Sequence, residues 1–292
     1  MTAHESGSAT HTLPGLDRAV LDRGGVRVDR DGVTLWVTLD RPGTRNAQTP
    51  ATWHALRHVG AALDRRDTIR VVVLRGNGPA FSSGLDRRML GTEPVDGQPP
   101  LTALLARTDD EVAAEISAYQ EGFSWLRRAD VVTVAAVHGH AIGAGFQLAL
   151  ACDLRVLAED AQLSMRETAL GLVPDLTGTK PLVEAVGYAR ALEICATGRP
   201  VGAAEALELG LATVVVARDQ LDAAVDDLVG ALTAAPAGAV AETKALLQAA
   251  TGNDAATQRR REREAQVRRF RALAADAVDA VDMAAVPRPD RR

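Results

Sequence analysis

Between Val33 and Leu39 apolar and polar residues alternate, the period-two pattern of a half-buried strand, and Asp40-Arg41-Pro42-Gly43 breaks it. Thr49 followed by Pro50 predicts a helix start. Leu56, Val59 and Leu63 mark its apolar face, and Gly60 on the same stripe lets a neighbouring element pack close. The continuous run Val71–Leu74 predicts a strand buried on both sides. A glycine-rich stretch follows, then a loop or flap over 91–100 and an amphipathic helix over about 108–128. Val131–Val137 predicts a second buried strand, running into His138-Gly139-His140-Ala141-Ile142-Gly143-Ala144-Gly145. A helix over 145–152 and short strands over 154–157 and 162–165 come next. Beyond about residue 180 the pattern is mainly helical, with one strand at Val214–Val216, and no repeat is evident. Strands interleaved with helices predict an α/β fold. The expected organisation is a disordered polar arm over 1–24, a core over 25–220 and a helical region over 221–292.

Composition narrows the function. An apolar fraction of 47% over 292 residues suffices for a large core. With 3% aromatics and a net charge of −5, stacking on bases and dedicated nucleic-acid binding are disfavoured. Cys152 and Cys195 are too few to staple a chain of this size and lack the spacing of a metal site, so neither disulfides nor metal are expected. No apolar run approaches the ~20 residues of a membrane span, and no charged start leads into an apolar leader. The expectation is a soluble, cytoplasmic protein.

Two glycine-bearing turns follow buried strands, at 83–86 and 143–145. Glycine lets backbone approach a ligand closely, and a helix starting near Gly143 would present free N–H groups there. Two such turns converging would form an oxyanion hole; the same spacing also suits ordinary strand-to-helix turns. Other motifs fit poorly. Leu148 stands where a dinucleotide fingerprint needs its third glycine, and Gly178-Thr179-Lys180 lacks the rest of a P-loop. Ser82 and Ser83 lack a nucleophile elbow, and His138 with His140 reads as structural. The arginines at 259, 260, 261, 263, 268, 269 and 271 read first as a solvated, ion-paired face, and second as an attractor of phosphates.

Five blocks in order resemble the crotonase (enoyl-CoA hydratase/isomerase) superfamily: Val37–Ala47, Phe81–Asp86, Ala135–Asp153, Glu167–Asp175 and Gly198–Ala212. The resemblance covers about residues 28–250 and implies a spiral of ββα units closed by a helical C-terminal trimerisation region. It implies an acyl-CoA thioester substrate, no separate cofactor because coenzyme A is carried by the substrate, and a homotrimer or dimer of trimers. The thioester oxygen would lie between the backbone N–H groups of Leu85 and Ala144. The second position is usually glycine, and alanine would distort a turn that needed positive φ. Asn46, Ala47, Ser82, Ser83, Gly84 and Lys244 would contact coenzyme A.

The family's hydratases usually carry two glutamates. Gln147 occupies the first position, where an amide can orient water but cannot take a proton usefully. Glu167 matches the second. Asp175, eight residues on, resembles acids of the dienoyl-CoA isomerases, 3-hydroxyisobutyryl-CoA hydrolases and chlorobenzoyl-CoA dehalogenases; it also suits a local turn bond after Pro174. A lone Glu167 favours double-bond isomerisation of an enoyl- or dienoyl-CoA in fatty acid metabolism. Hydration of a 2-enoyl-CoA, hydrolysis of a 3-hydroxyacyl-CoA and non-catalytic acyl-CoA carriage are the alternatives.

Overall fold

The computed structural model describes residues 13–63 and 68–285. It divides into two compact units, the first ending at Ala231 and the second beginning at Leu232. The division lies eleven residues beyond the expected boundary, inside a helix, Leu221–Ala234.

The first unit opens with α1 (Arg18–Gly24), capped by Asp17 Oδ1 accepting from Ala19 N–H at 2.8 Å. The expected disordered arm is therefore corrected from Leu13 onward. Leu13 and Leu21 are buried in the core, and two apolar anchors with a capped turn order this stretch. The rest of that arm, residues 1–12, lies outside the described residues.

Six strands form the main sheet in the order β1 (Val26–Asp31), β2 (Thr34–Leu39), β3 (Val71–Gly76), β4 (Val132–Val137), β6 (Leu154–Ala158) and β9 (Val214–Val216). Only the β1–β2 pair is antiparallel. The sequence pattern missed β1, because only Val26 and Val28 of its six residues are buried and the rest are charged. It is an edge strand, and charge there discourages pairing with another chain. The half-buried reading of β2 is also corrected. Its residues are buried on both faces apart from Trp36, which is half-buried and stacked under the Arg75 guanidinium, 4.6 Å from the ring centre.

Helix α2 (Pro50–Ala62) starts at Pro50 as expected, with Thr49 N–H donating to Thr52 Oγ1 at 3.2 Å. Its Gly60 faces Trp125, where a Cβ would fall 2.3 Å from the indole Cγ. Helix α3 (Asp109–Ser124) begins on a Thr108–Glu111 capping box and ends in a short 3-10 turn over Trp125–Arg127. A second sheet of three strands, β5 (His140–Ile142), β7 (Gln162–Ser164) and β8 (Val201–Gly202), stands apart from the first. Helix α4 (Ala144–Ala151) follows β5 and is buried throughout; Gln147 is its one polar side chain. Helices α5 (Thr179–Val186), α6 (Tyr188–Thr197), α7 (Ala203–Glu208) and α8 (Leu221–Ala234) complete the order. The expected α/β class holds, with a mainly parallel sheet.

The second unit contains α9 (Ala237–Ala250) and α10 (Ala255–Ala285). Arg268 on α10 forks onto both carboxylate oxygens of Glu242 at 2.7 and 2.8 Å, and Arg260 sits 3.8 Å from Glu264. The arginine run is thus ion-paired at these two positions. No single helix among the described residues is long and apolar enough to cross a membrane.

Replacing a helical glycine with alanine ordinarily stabilises by about 1 kcal/mol. At Gly60 the indole removes that gain, so Gly60→Ala should destabilise the fold by about 1–3 kcal/mol in urea unfolding. A stabilised variant would show that the α2–Trp125 approach is not tight.

Candidate active site

Both glycine-bearing turns are brought side by side by backbone pairing. Ser82 N–H donates to His140 O (2.8 Å) and Ile142 N–H to Ser82 O (3.0 Å), a parallel bridge between Ser82 and Ala141. On its other edge the 83–86 segment bridges Gln48: Gln48 N–H donates to Gly84 O and Asp86 N–H to Gln48 O. In such a bridge the amide of the intervening residue points the opposite way, so Leu85 N–H faces away from Gln48. Among the described residues neither Leu85 N–H nor Ala144 N–H has an acceptor. Ala144 opens α4, where the first N–H groups have no partner within the helix.

Glycines take the torsional cost. Gly84 has φ +80°, and a Cβ on it would lie 2.2 Å from Ile142 O and 3.4 Å from Ala144 N, so the two turns are in contact. Gly143 has φ +52° and caps α4, whereas Ala144 has no positive φ. Alanine at 144 therefore leaves the turn undistorted, because the strained angle falls one residue earlier.

Glu167 arrives from the second sheet. Strand β7 pairs in parallel with β5, placing Ser164 opposite Ile142, and Gly143 N–H donates to Ser164 O at 2.7 Å. Three residues further on, Glu167 opens a 3-10 turn with its carboxylate over Gly143; Oε1 would lie 3.3 Å and Oε2 3.7 Å from a Cβ built there. The side chain is 9% exposed. Gln147 Nε2 donates to Oε1 at 2.6 Å, while Oε2 is buried and has no hydrogen-bond partner among the described residues. Two free amides and one under-satisfied carboxylate thus share a small region. Such an arrangement can hold a developing oxyanion and move a proton beside it.

The family model for enoyl-CoA hydratase/isomerase matches residues 30–275. The chain belongs to the enoyl-CoA hydratase/isomerase family. A crystal structure named as an enoyl-CoA hydratase of Thermobifida fusca YX, in complex with acetoacetyl-CoA, is 52% identical, with TM-score 0.84 over 88% of this chain and 99% of that one. The YngF protein of Bacillus subtilis (strain 168), named for enoyl-CoA hydratase/isomerase, is 32% identical over 76% of this chain and 80% of its own length. The peroxisomal Delta(3,5)-Delta(2,4)-dienoyl-CoA isomerase of Arabidopsis thaliana is 30% identical over the same shares. The fold is that of the crotonase-type neighbours.

The other residues expected from the sequence fall into groups. Asp175 is half-buried near Glu167, its backbone carbonyl accepting from Gln120 Nε2 at 2.7 Å. Asn46 is buried with φ +55°; its Nδ2 donates to Asn77 O and Ala80 O, and its Oδ1 accepts from Arg41 N–H. Ser82 is likewise enclosed, its Oγ donating to Asn46 O (2.8 Å) and accepting from Gln48 Nε2 and Gly84 N–H. Both side chains are spent on shaping the loops. Ala47 gives its N–H to Thr44 O and its carbonyl to Arg41. Ser83 is half-buried, with Oγ donating to Thr44 O at 3.1 Å. Lys244 is buried on α9 of the second unit.

His138 is buried with Nε2 3.0 Å from Gly78 O, and burial pushes its pKa down; His140 is exposed. Among the described residues no group of three or more His, Cys, Asp or Glu could hold a metal. The sequence pattern did not single out Gln48. Its buried amide donates to Ser82 Oγ and accepts from Trp53 Nε1 at 2.8 Å, tying α2 to the first turn. Adjacency to Asn46-Ala47 was the only available signal.

Burial pushes the Glu167 pKa up and the nearby charge of Asp175 adds to this, against a partial pull from Gln147 and neighbouring backbone amides. Burial pushes Asp175 up too. A folded carboxyl with a raised pKa contributes stability below its unfolded value, lost as pH rises through the folded value. Glu167→Gln, which mimics the protonated form, should therefore match the parent near pH 4 and exceed it in melting temperature by a few degrees at pH 8. Melting curves across that range check this; a variant less stable at pH 8 than at pH 4, relative to the parent, would contradict it.

Proposed function

We propose that the protein isomerises the double bond of an enoyl- or dienoyl-CoA. One observation carries this reading: a single buried glutamate, with one oxygen unbonded, stands beside two unpaired backbone amides. The thioester oxygen lies between Leu85 N–H and Ala144 N–H. Glu167 removes a proton beside the carbonyl, and the negative charge moves onto that oxygen. Each such donor is worth about 3 kcal/mol in the transition state. A proton is then delivered to a different carbon of the conjugated system: Glu167 gives back the one it took or, in a dienoyl substrate, a protonated Asp175 gives its own while Glu167 keeps the first, and exchange with solvent resets both acids. Burial raises the pKa of both acids, which favours their use as donors as well as acceptors of a proton. Coenzyme A enters as part of the substrate, along the Asn46–Ala47 turn and Ser83, and no separate cofactor takes part.

Hydration of a 2-enoyl-CoA is the second reading, favoured by the names of several relatives. It needs a second group that accepts from water. The Gln147 carbonyl already accepts from Leu176 N–H (2.8 Å) and Gly178 N–H (3.2 Å), which argues against that role.

Incubation with a 3-enoyl-CoA should produce the absorbance of a conjugated enoyl thioester, and Glu167→Gln should lower that turnover by about a thousandfold with KM nearly unchanged. Loss of absorbance from crotonyl-CoA without isomerisation would select hydration, and free thiol release would select hydrolysis. Undiminished turnover in Glu167→Gln would overturn the assignment.

A further inference from the structure

Gln147 is the sole polar side chain of a fully buried helix, and both its carbonyl oxygen and its amide nitrogen have partners. Its carbonyl faces two backbone N–H groups, from Leu176 and Gly178, and its amino group faces Glu167 Oε1 at 2.6 Å. The orientation is fixed by these partners: a flipped amide would point N–H at N–H twice and carbonyl at carboxylate once. The loop it grips bears Asp175 on one side and Thr177 at φ +68°, a left-handed angle that a β-branched residue adopts only under constraint.

We infer that Gln147 is a positioning residue for Glu167: it ties Oε1 to the 175–178 loop, so that Oε2 alone is presented for proton transfer, and its Nε2–H favours the ionised over the neutral carboxyl. The inference rests on the reading of Glu167 as the proton carrier. A charge-assisted hydrogen bond to a buried carboxylate favours the charged partner, opposing the burial that favours the neutral one. The nearby charge of Asp175 opposes the ionisation of Glu167, and the half-buried Cys195 thiol is itself pushed up by burial and by the Glu167 charge. Neither supplies a donor in place of Gln147 Nε2.

The test measures Glu167 directly, by carbon-13 NMR titration of full-length protein labelled at glutamate side-chain carboxyls, with the resonance assigned by its disappearance in Glu167→Gln. Gln147→Leu should raise the Glu167 midpoint by about one pH unit or more. Gln147→Glu keeps an acceptor for Leu176 and Gly178 N–H, so its fold is held. It sets a second carboxyl against Glu167, and the pair should retain one proton through neutral pH. The acidic limb of the isomerase kcat profile should move in the same direction, with KM for the thioester nearly unchanged. A midpoint unmoved in both variants would overturn the inference and leave Gln147 a purely structural link. A shifted midpoint alongside undiminished turnover in Glu167→Gln would instead sustain the coupling and refute only the role given to Glu167.

Discussion

One oxygen atom governs this molecule. Glu167 Oε2 is buried and has no hydrogen-bond partner among the described residues, an arrangement that folding alone disfavours, since a buried polar acceptor left unsatisfied is expensive. The rest of the site can be understood as the means of keeping it there. The second sheet delivers the glutamate above Gly143, and a buried glutamine on the otherwise apolar α4 donates to the other oxygen. The two amides that would receive the opposite end of a reacting thioester come from different strand ends, and are locked together by a parallel bridge of two hydrogen bonds.

Much of this was legible in the sequence, for identifiable reasons. Continuous runs such as Val71–Leu74 and Val131–Val137 pointed to buried strands, and Thr49-Pro50 marked the start of a helix that does begin at Pro50. Block order pointed to Leu85, Ala144 and Glu167, which the fold brings together although 82 residues separate the first from the last. Other features had no local signature. The charged edge strand Val26–Asp31 carries little apolar periodicity, because its partner on one side supplies the pairing and solvent covers the other. Short strands such as His140–Ile142 and Val201–Gly202 exist only through their neighbours.

The roles of Asn46, Ser82 and Gln48 show a further limit. Block position pointed to Asn46 and Ser82 as contacts of coenzyme A and did not single out Gln48, yet all three spend polar side-chain atoms on distant parts of the chain. Hydrogen-bond commitment is a property of three-dimensional neighbours separated by tens of residues, which a linear pattern does not encode. The same holds for Gln147, whose position in the sequence suggests contact with water, and whose surroundings direct it to a carboxylate and two amides.

The left-handed angles at Gly84 and Gly143 have an evolutionary consequence. Each precedes a residue that offers only its main-chain amide, so no point substitution at Leu85 or Ala144, other than to proline, can erase a donor. Vulnerability is displaced onto the glycines, while the side chains downstream stay open to selection. A lineage can thus remodel what its cleft admits and inherit the same electrostatic grip unaltered.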